Sequence, residues 1–388
     1  MDVRRLVVCV MSLVSAFCLF CFSAGAEAGS GSIEDEQSRI FAEMGEIAED
    51  VAENGGSSAG ASVWGESAAD AGQAITDLLE PERVFEELAD IARVALPEAV
   101  SLLCAIAGLI IISAVCRQLC DGFAGGAISS GVGFVSAAAV ISAILALQLN
   151  HFDMAERFFD SLGSLMESMI PVTGMVWAMG GNVTTASVGT VTLYAMLAVT
   201  QKICAATVLP VCYVTGMTAV CSGLCDGAML GGFSGAVKKV YNFFIGLIMT
   251  VLVFVLGAQT TIAVSADTAA ARGAKLLTGT VIPVVGGAVG DTLRTVAGSV
   301  QYIKSVVGVG GIILALALTL PTLISLLLFR LVFILTSGFA DMLGCKTEGR
   351  LLSELGNVYG CLVGAVAICS VAFVIALGIF VRCTVAAA

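Results

Sequence analysis

The chain has 388 residues, of which 58% are apolar and only 12% charged; a soluble protein carries roughly twice that charge fraction. Its net charge of −12 and its lack of any sizeable basic patch argue against nucleic-acid binding. Mean hydropathy is +1.00, and several apolar runs of about 18–25 residues are long enough to cross a bilayer, so the expected fold is an all-α polytopic membrane protein with about 7–8 transmembrane helices.

Residues 1–26 read as a signal peptide: Arg4 and Arg5 form the charged start, an apolar stretch follows, and Ala24-Gly25-Ala26 fits a small-residue cleavage site. The apolar stretch is long enough that a retained signal anchor is the alternative. Either way, the following residues are expected outside the cytoplasm.

Residues 27–98 hold the acidity. Between Glu27 and Glu98 there are 18 Asp/Glu against 3 Lys/Arg, a net of −15, while the rest of the chain is at +3. The segment is helix-prone with a Gly/Ser break at "NGGSSAGAS". Ile40, Met44, Ile47 and Val51 form one apolar stripe before the break. Val84, Phe85, Leu88 and Ile91 form another after it. Pro81 with Glu80 and Glu82 suits the start of the second helix. Each stripe needs a partner, either the chain's own membrane domain or another protein; the acidic polar face is wrong for an anionic lipid surface.

Residues 99–388 form the membrane domain. Candidate spans are about 99–116, 126–149, 186–203, 204–222, 241–265, 306–320, 321–338 and 358–381. They are linked by short glycine-rich passages or by amphipathic stretches at 151–169 and 266–279. Lys238/Lys239 and Arg272/Lys275 flank the same span, so loop charges do not fix its orientation.

Three landmarks recur in order. "VCRQLCDG" at 115–122 matches "VCSGLCDG" at 220–227; Ile170-Pro171-Val172-Thr173-Gly174 matches Ile282-Pro283-Val284-Val285-Gly286; Leu209-Pro210 matches Leu320-Pro321. An internal duplication is expected, with units about 99–203 and 204–338 and an extra C-terminal span at 358–381. Proline followed by glycines cannot continue a regular helix without freeing backbone groups. Such groups survive in hydrocarbon only when buried in protein or lining water. The segments 170–182 and 282–291 are therefore expected to be broken or re-entrant elements, one per unit. Their candidate path-lining or helix-breaking residues are Pro171, Gly174, Gly180, Gly181, Asn182 and Pro210 in the first unit, and Pro283, Gly286, Gly287, Gly290, Asp291 and Pro321 in the second. The competing reading is that they are kinks and close-packing sites between helices. Whether the units are inverted or parallel stays open.

Chemistry-bearing residues are sparse. Most of the fourteen cysteines lie in apolar runs. Cys116/Cys120 and Cys221/Cys225 lack histidine company, the single histidine being His151. His151, with Asp153 and Glu156, reads as part of a solvated helix face. Lys202 and Arg330 sit within or between apolar runs, where they are expected to snorkel or pair. There is no P-loop or HExxH motif. The expectation is a protein that is not an enzyme, with no cofactor and no metal.

Several stretches carry a family resemblance: "LLEPERVFEELADIARVALPEAVSLLCAIAGLIIISAVCRQL", "FFDSLGSLMESMIPV", "ATVLPVCYVTG", "ARGAKLLTGTVIPVVGGAVGDTLRTVAGSVQYIKSVVGVGGI" and "LPTLISLLLFRL". With this layout the chain resembles the stage III sporulation protein AE family of endospore-forming bacteria. The section from Ala271 to Gly311 is its most specific part; the cysteine content and the broken acidic segment depart from the pattern. The resemblance implies a multi-pass component of the channel linking mother cell and forespore, placed in the mother-cell-derived membrane. It implies partners among the other stage III sporulation A-operon proteins, including a secretion-type ATPase and ring-forming proteins, together with the forespore membrane protein Q. Three functions follow as expectations: a permease-like or pore-contributing subunit, a non-conducting scaffold, or an independent secondary transporter of a small solute.

Overall fold

The computed structural model describes residues 33–56, 64, 68–78, 81–123, 126–179, 190–224, scattered helical positions between 235 and 254, and 286–382. The signal-peptide segment, the amphipathic stretch 266–279 and Pro283 lie outside the described residues. Among the described residues there is no strand. The continuous helices are α1 (Ile33–Glu53), α2 (Ala68–Leu78), α3 (Pro81–Phe123), α4 (Gly126–Met179), α5 (Thr190–Leu224), α6 (Gly286–Met342) and α7 (Lys346–Arg382).

α1 forms as its stripe predicts: Ile40, Met44, Ile47 and Val51 are all buried. The helix packs on α4 and α6, so the stripe is covered by the chain's own bundle. It ends where Gly55 takes a left-handed φ of 91° and the Gly56 N–H reaches back to the Val51 carbonyl at 2.9 Å, a glycine-terminated cap. α3 starts at Pro81 with Glu82 in its first turn. It passes without interruption through residues 98 and 99, where acidic sequence gives way to apolar.

Two pairs of expected spans are each one helix. The stretches 186–203 and 204–222 fall largely in α5, whose 35 residues reach about 52 Å at 1.5 Å per residue. The stretches 306–320 and 321–338 lie within α6, whose 57 residues reach about 86 Å. In both pairs no glycine-rich linker separates the members: the first junction holds only Thr200, Gln201 and Lys202, which continue a helix, and the second only Pro321. Pro97, Pro171, Pro210 and Pro321 all sit inside helices. Each removes one backbone donor, a loss that apolar helical bundles absorb through local adjustment and neighbouring groups. The former link at 151–169 is likewise the middle of α4, a single 54-residue helix.

Among the described residues four stretches are long and apolar enough to cross a membrane: Glu86–Leu119, Leu197–Thr218, Gly298–Met342 and Lys346–Gly378. α6 and α7 form the most extensive pairing, an antiparallel hairpin, and α7 is also packed by α4 and α5. The hairpin turn is fixed by Gly344, at φ 78°, with the Gly344 N–H bonded to the Asp341 carbonyl and the Cys345 N–H to the Ala340 carbonyl, a Schellman cap. Val371 is the one exposed large apolar side chain on α7 among the described residues. By contrast α3 exposes Val94, Leu96, Val100, Ile111, Ile112, Val115 and Leu119, and α6 exposes Leu327, Leu331, Ile334 and Leu335. α7 thus occupies the axis of the bundle, and α3 and α6 present its apolar outside.

Candidate functional site

The described Pro/Gly residues take different places. Pro171 is exposed in the continuous part of α4, and Gly174, half-buried, has no atom close to where a Cβ would stand. The helix runs on to Met179, so no break occurs between Pro171 and that residue. Gly180, Gly181 and Asn182 lie outside the described residues. Pro210 is exposed in α5. Gly286, Gly287, Gly290 and Asp291 belong to the first turns of α6. Pro321 lines a surface cleft of about 410 Å³ together with Asn54, Asp153, Arg157, Thr322 and Ser325.

The structure adds a series of buried polar contacts strung along α7. At its first turn the Glu348 carboxylate is fully buried. It accepts from Ser113 Oγ at 2.9 Å and, on both oxygens, from an Arg117 terminal nitrogen at 2.7 and 2.8 Å. The α7 N-terminus adds the positive end of its dipole to this site. The Arg117 Nε is buried without a hydrogen-bond partner. Three turns higher, Tyr359 OH meets His151 Nδ1 at 3.0 Å, with the His151 ring 3.9 Å from that of Phe329, centroid to centroid. His151 is buried, not part of a solvated face: its sequence neighbours Asp153 and Glu156 point outward while it turns toward α7. Arg330 is half-buried, with Gly360 leaving room for its guanidinium. Lys202 is exposed.

Higher again, Thr319 and Ser370 share a 2.8 Å hydrogen bond between α6 and α7. Near the top, Lys304 is buried with its ammonium 3.8 Å from the ring centroid of Trp177 and 5.4 Å from that of Phe380. Cation–π attraction at such a desolvated position is worth about 2 kcal/mol. α4, α6 and α7 meet on this one charge. α4 and α5 are tied separately, Gln201 Nε2 donating to the Phe159 carbonyl in the space that Gly163 leaves open.

None of these pairs was legible as a pair, because the partners are 42 to 235 residues apart. Lys304 lies two residues before the expected span 306–320 and so read as a polar flank, unlike Lys202 and Arg330. The neighbouring Gln301, Tyr302 and Ser305 masked it. Among the described residues no cluster of His, Cys, Asp and Glu could hold a metal ion.

No curated protein and no solved structure matches the chain. A family model, described as Stage III sporulation protein AE, matches residues 73–384, from within α2 to the end of the α7 region. With the match covering most of its length, the chain belongs to the stage III sporulation protein AE family, and its role lies in that stage of sporulation.

Proposed function

We propose that this chain is a non-enzymatic membrane subunit of the channel complex between mother cell and forespore, and that the conduit runs beside its bundle, between chains, rather than through it. The observation that carries this reading is the filled axis. α7 is packed along its length by aromatic rings and paired polar groups, from Glu348 to Phe380. α4 runs on through Pro171 to Met179 and α6 starts at Gly286, and we read the residues that flank these helix ends, 180–182 and 282–285, as the conduit-facing parts of a duplicated unit. A multi-span count above four draws on the apolar residues of 225–285 as well as the helices described.

Contacts along α7 also fix heights. A hydrocarbon core of about 30 Å is crossed by about 20 helical residues. Setting one face at the Arg117–Glu348 pair puts the other near residue 368 of α7. The exposed apolar side chains of α3 between Leu96 and Leu119 then fall within the core. Of the exposed charges of α4, Glu167 then falls beyond it and Asp160 at its edge, while Asp153, Glu156 and Arg157 stand in its outer half; the acidic helices α1 and α2 fall beyond it. On this reading the acidic segment is extracytoplasmic and lies between the two membranes, where ring-forming partners and the forespore protein Q are to be sought; the ATPase partner would meet the face carrying Arg117, Lys346 and Arg350.

The test is complementation of a strain lacking the chain. Pro283→Leu with Gly286→Leu is expected to abolish forespore-stage gene expression and heat-resistant spores, while Val371→Leu, on the exposed side of α7, is expected to complement fully. Normal spores from the double variant would contradict the reading.

A further inference from the structure

Four of the buried cysteines lie along the seam between α5 and α7. On α5, Cys204, Val208 and Cys212 follow one another a turn apart; on α7, Cys361, Ala365 and Cys369 do the same, and all six are buried. Small side chains at such a seam let two helix backbones approach closely. The helices run antiparallel: the Tyr194 ring meets that of Phe373, 6.4 Å between centroids, and the Cys212 Sγ stands 3.9 Å from the Val358 carbonyl oxygen. That register brings Cys204 to the stretch of α7 that carries Cys369, and the two thiols hydrogen-bond to each other. Each of the two is only 1% exposed, and Tyr241, itself buried, stands close by.

We propose that Cys204 and Cys369 are a modification site, closing into a disulfide that ties α5 to α7. A disulfide needs its two sulfurs side by side on closely packed backbone, and this seam supplies both. The inference rests on the membrane placement proposed above, which sets the outer face of the hydrocarbon core near residue 368 of α7. The pair then lies at the edge that meets the space outside the cytoplasm, where disulfides form and persist. Cys212 and Cys361 are eight residues further along their helices, about 12 Å deeper, and the Cys212 thiol is directed to the Val358 carbonyl. The oxidant is a disulfide-bearing protein or small molecule outside the cytoplasm. The Cys369 thiolate attacks one of its sulfurs and releases the other as a thiolate; the Cys204 thiolate then attacks Cys369 Sγ in the mixed disulfide and releases the second. The two cysteine protons go to the departing sulfurs, so two thiols of this chain are oxidised and one disulfide is reduced to two thiols. Packing of α5 on α7 closes both sulfurs off, so the exchange belongs to assembly, and the same burial then shields the bond from reduction.

The experiment is peptide mapping of the full chain taken from sporulating cells, with free thiols trapped by N-ethylmaleimide at lysis. Without reductant, the peptides carrying Cys204 and Cys369 are expected to be joined; after reduction they are expected to separate. Cys204→Ser is expected to leave Cys369 open to the reagent, and Cys212→Ser to leave the joined peptides unchanged. The unaltered chain is also expected to unfold in detergent at a lower temperature once reduced, and the double variant Cys204→Ser with Cys369→Ser to unfold at that lower temperature with or without reductant. Trapping of both thiols in the unaltered chain, or joining of either to a different cysteine, would overturn the inference. Where both are trapped, diamide, a small membrane-permeant oxidant, applied to the purified chain separates the causes. Closure by diamide would show that the contact holds and that this end of α7 faces a reducing compartment, against the placement; failure to close would refute the contact itself. Neither arm reads spores or conduction, so the result stands apart from that of the complementation test.

Discussion

At the residue scale, the most exacting interaction is the buried pair of Glu348 with Arg117. Removing one member of a buried ion pair strands the other, at a cost of about 3–5 kcal/mol, whereas replacing both with apolar residues is often neutral. Glu348→Ala is therefore expected to lower stability by about that amount, and Arg117→Met with Glu348→Leu to recover most of it; thermal unfolding in detergent measures both. Equal loss in the single and double variants would show that the pair contributes little beyond packing. Glu43 gives a pH effect of opposite origin. Burial raises its pKa above the ordinary 4.5, with Arg39 lowering it and Glu46 raising it. A carboxyl whose pKa is raised on folding favours the folded state at low pH and loses that advantage as pH climbs through the ordinary value and then the raised one. Docking of α1 is thus expected to weaken from pH 4.5 upward, and Glu43→Gln to flatten the dependence, as read by protease cleavage in the segment after Asn54. The stripe that buries α1 could be read from periodicity alone. The carboxyl that burial perturbs could not, because its surroundings come from other elements.

At the element scale, helices were legible, as was the start of α3 at Pro81, but the prolines further along the chain misled as to where helices end. Prolines marked expected breaks, yet four of the chain's six prolines sit inside continuous helices, since a lost donor is tolerated when neighbours and local adjustment compensate. Two of the stops, those of α1 and α6, are glycines in left-handed backbone, Gly55 and Gly344. Glycine has a second use at Gly310, where an added Cβ would collide with the ring of Trp64. Gly310→Ala is expected to push that indole aside and loosen the acidic arm from α6, raising protease sensitivity around Trp64 while leaving the α6–α7 hairpin intact. A variant with an unchanged digestion pattern would show that Trp64 does not hold the arm. The same residue fixed in the sequence as part of a Gly/Val run could equally have been a helix break; only the ring lying on it distinguishes the two roles.

At the scale of the whole molecule, composition and long apolar runs already specified an all-helical membrane chain, and the quoted motifs already pointed to its family. The arrangement of helices around α7 was not available there, because it depends on polar pairs closed between distant segments. With the axis around α7 filled, the proposed function requires any aqueous path to run beside it, past residues 180–182 and 282–285. The most direct measurement is thiol accessibility: single cysteines introduced into a chain whose natural cysteines have been replaced, and exposed to a membrane-impermeant reagent in intact vesicles and then in permeabilised ones. Positions 181 and 285 are expected to react, and positions 359, 366 and 373 on α7 to stay protected under both conditions. Reaction along α7 with protection at 181 and 285 would contradict it.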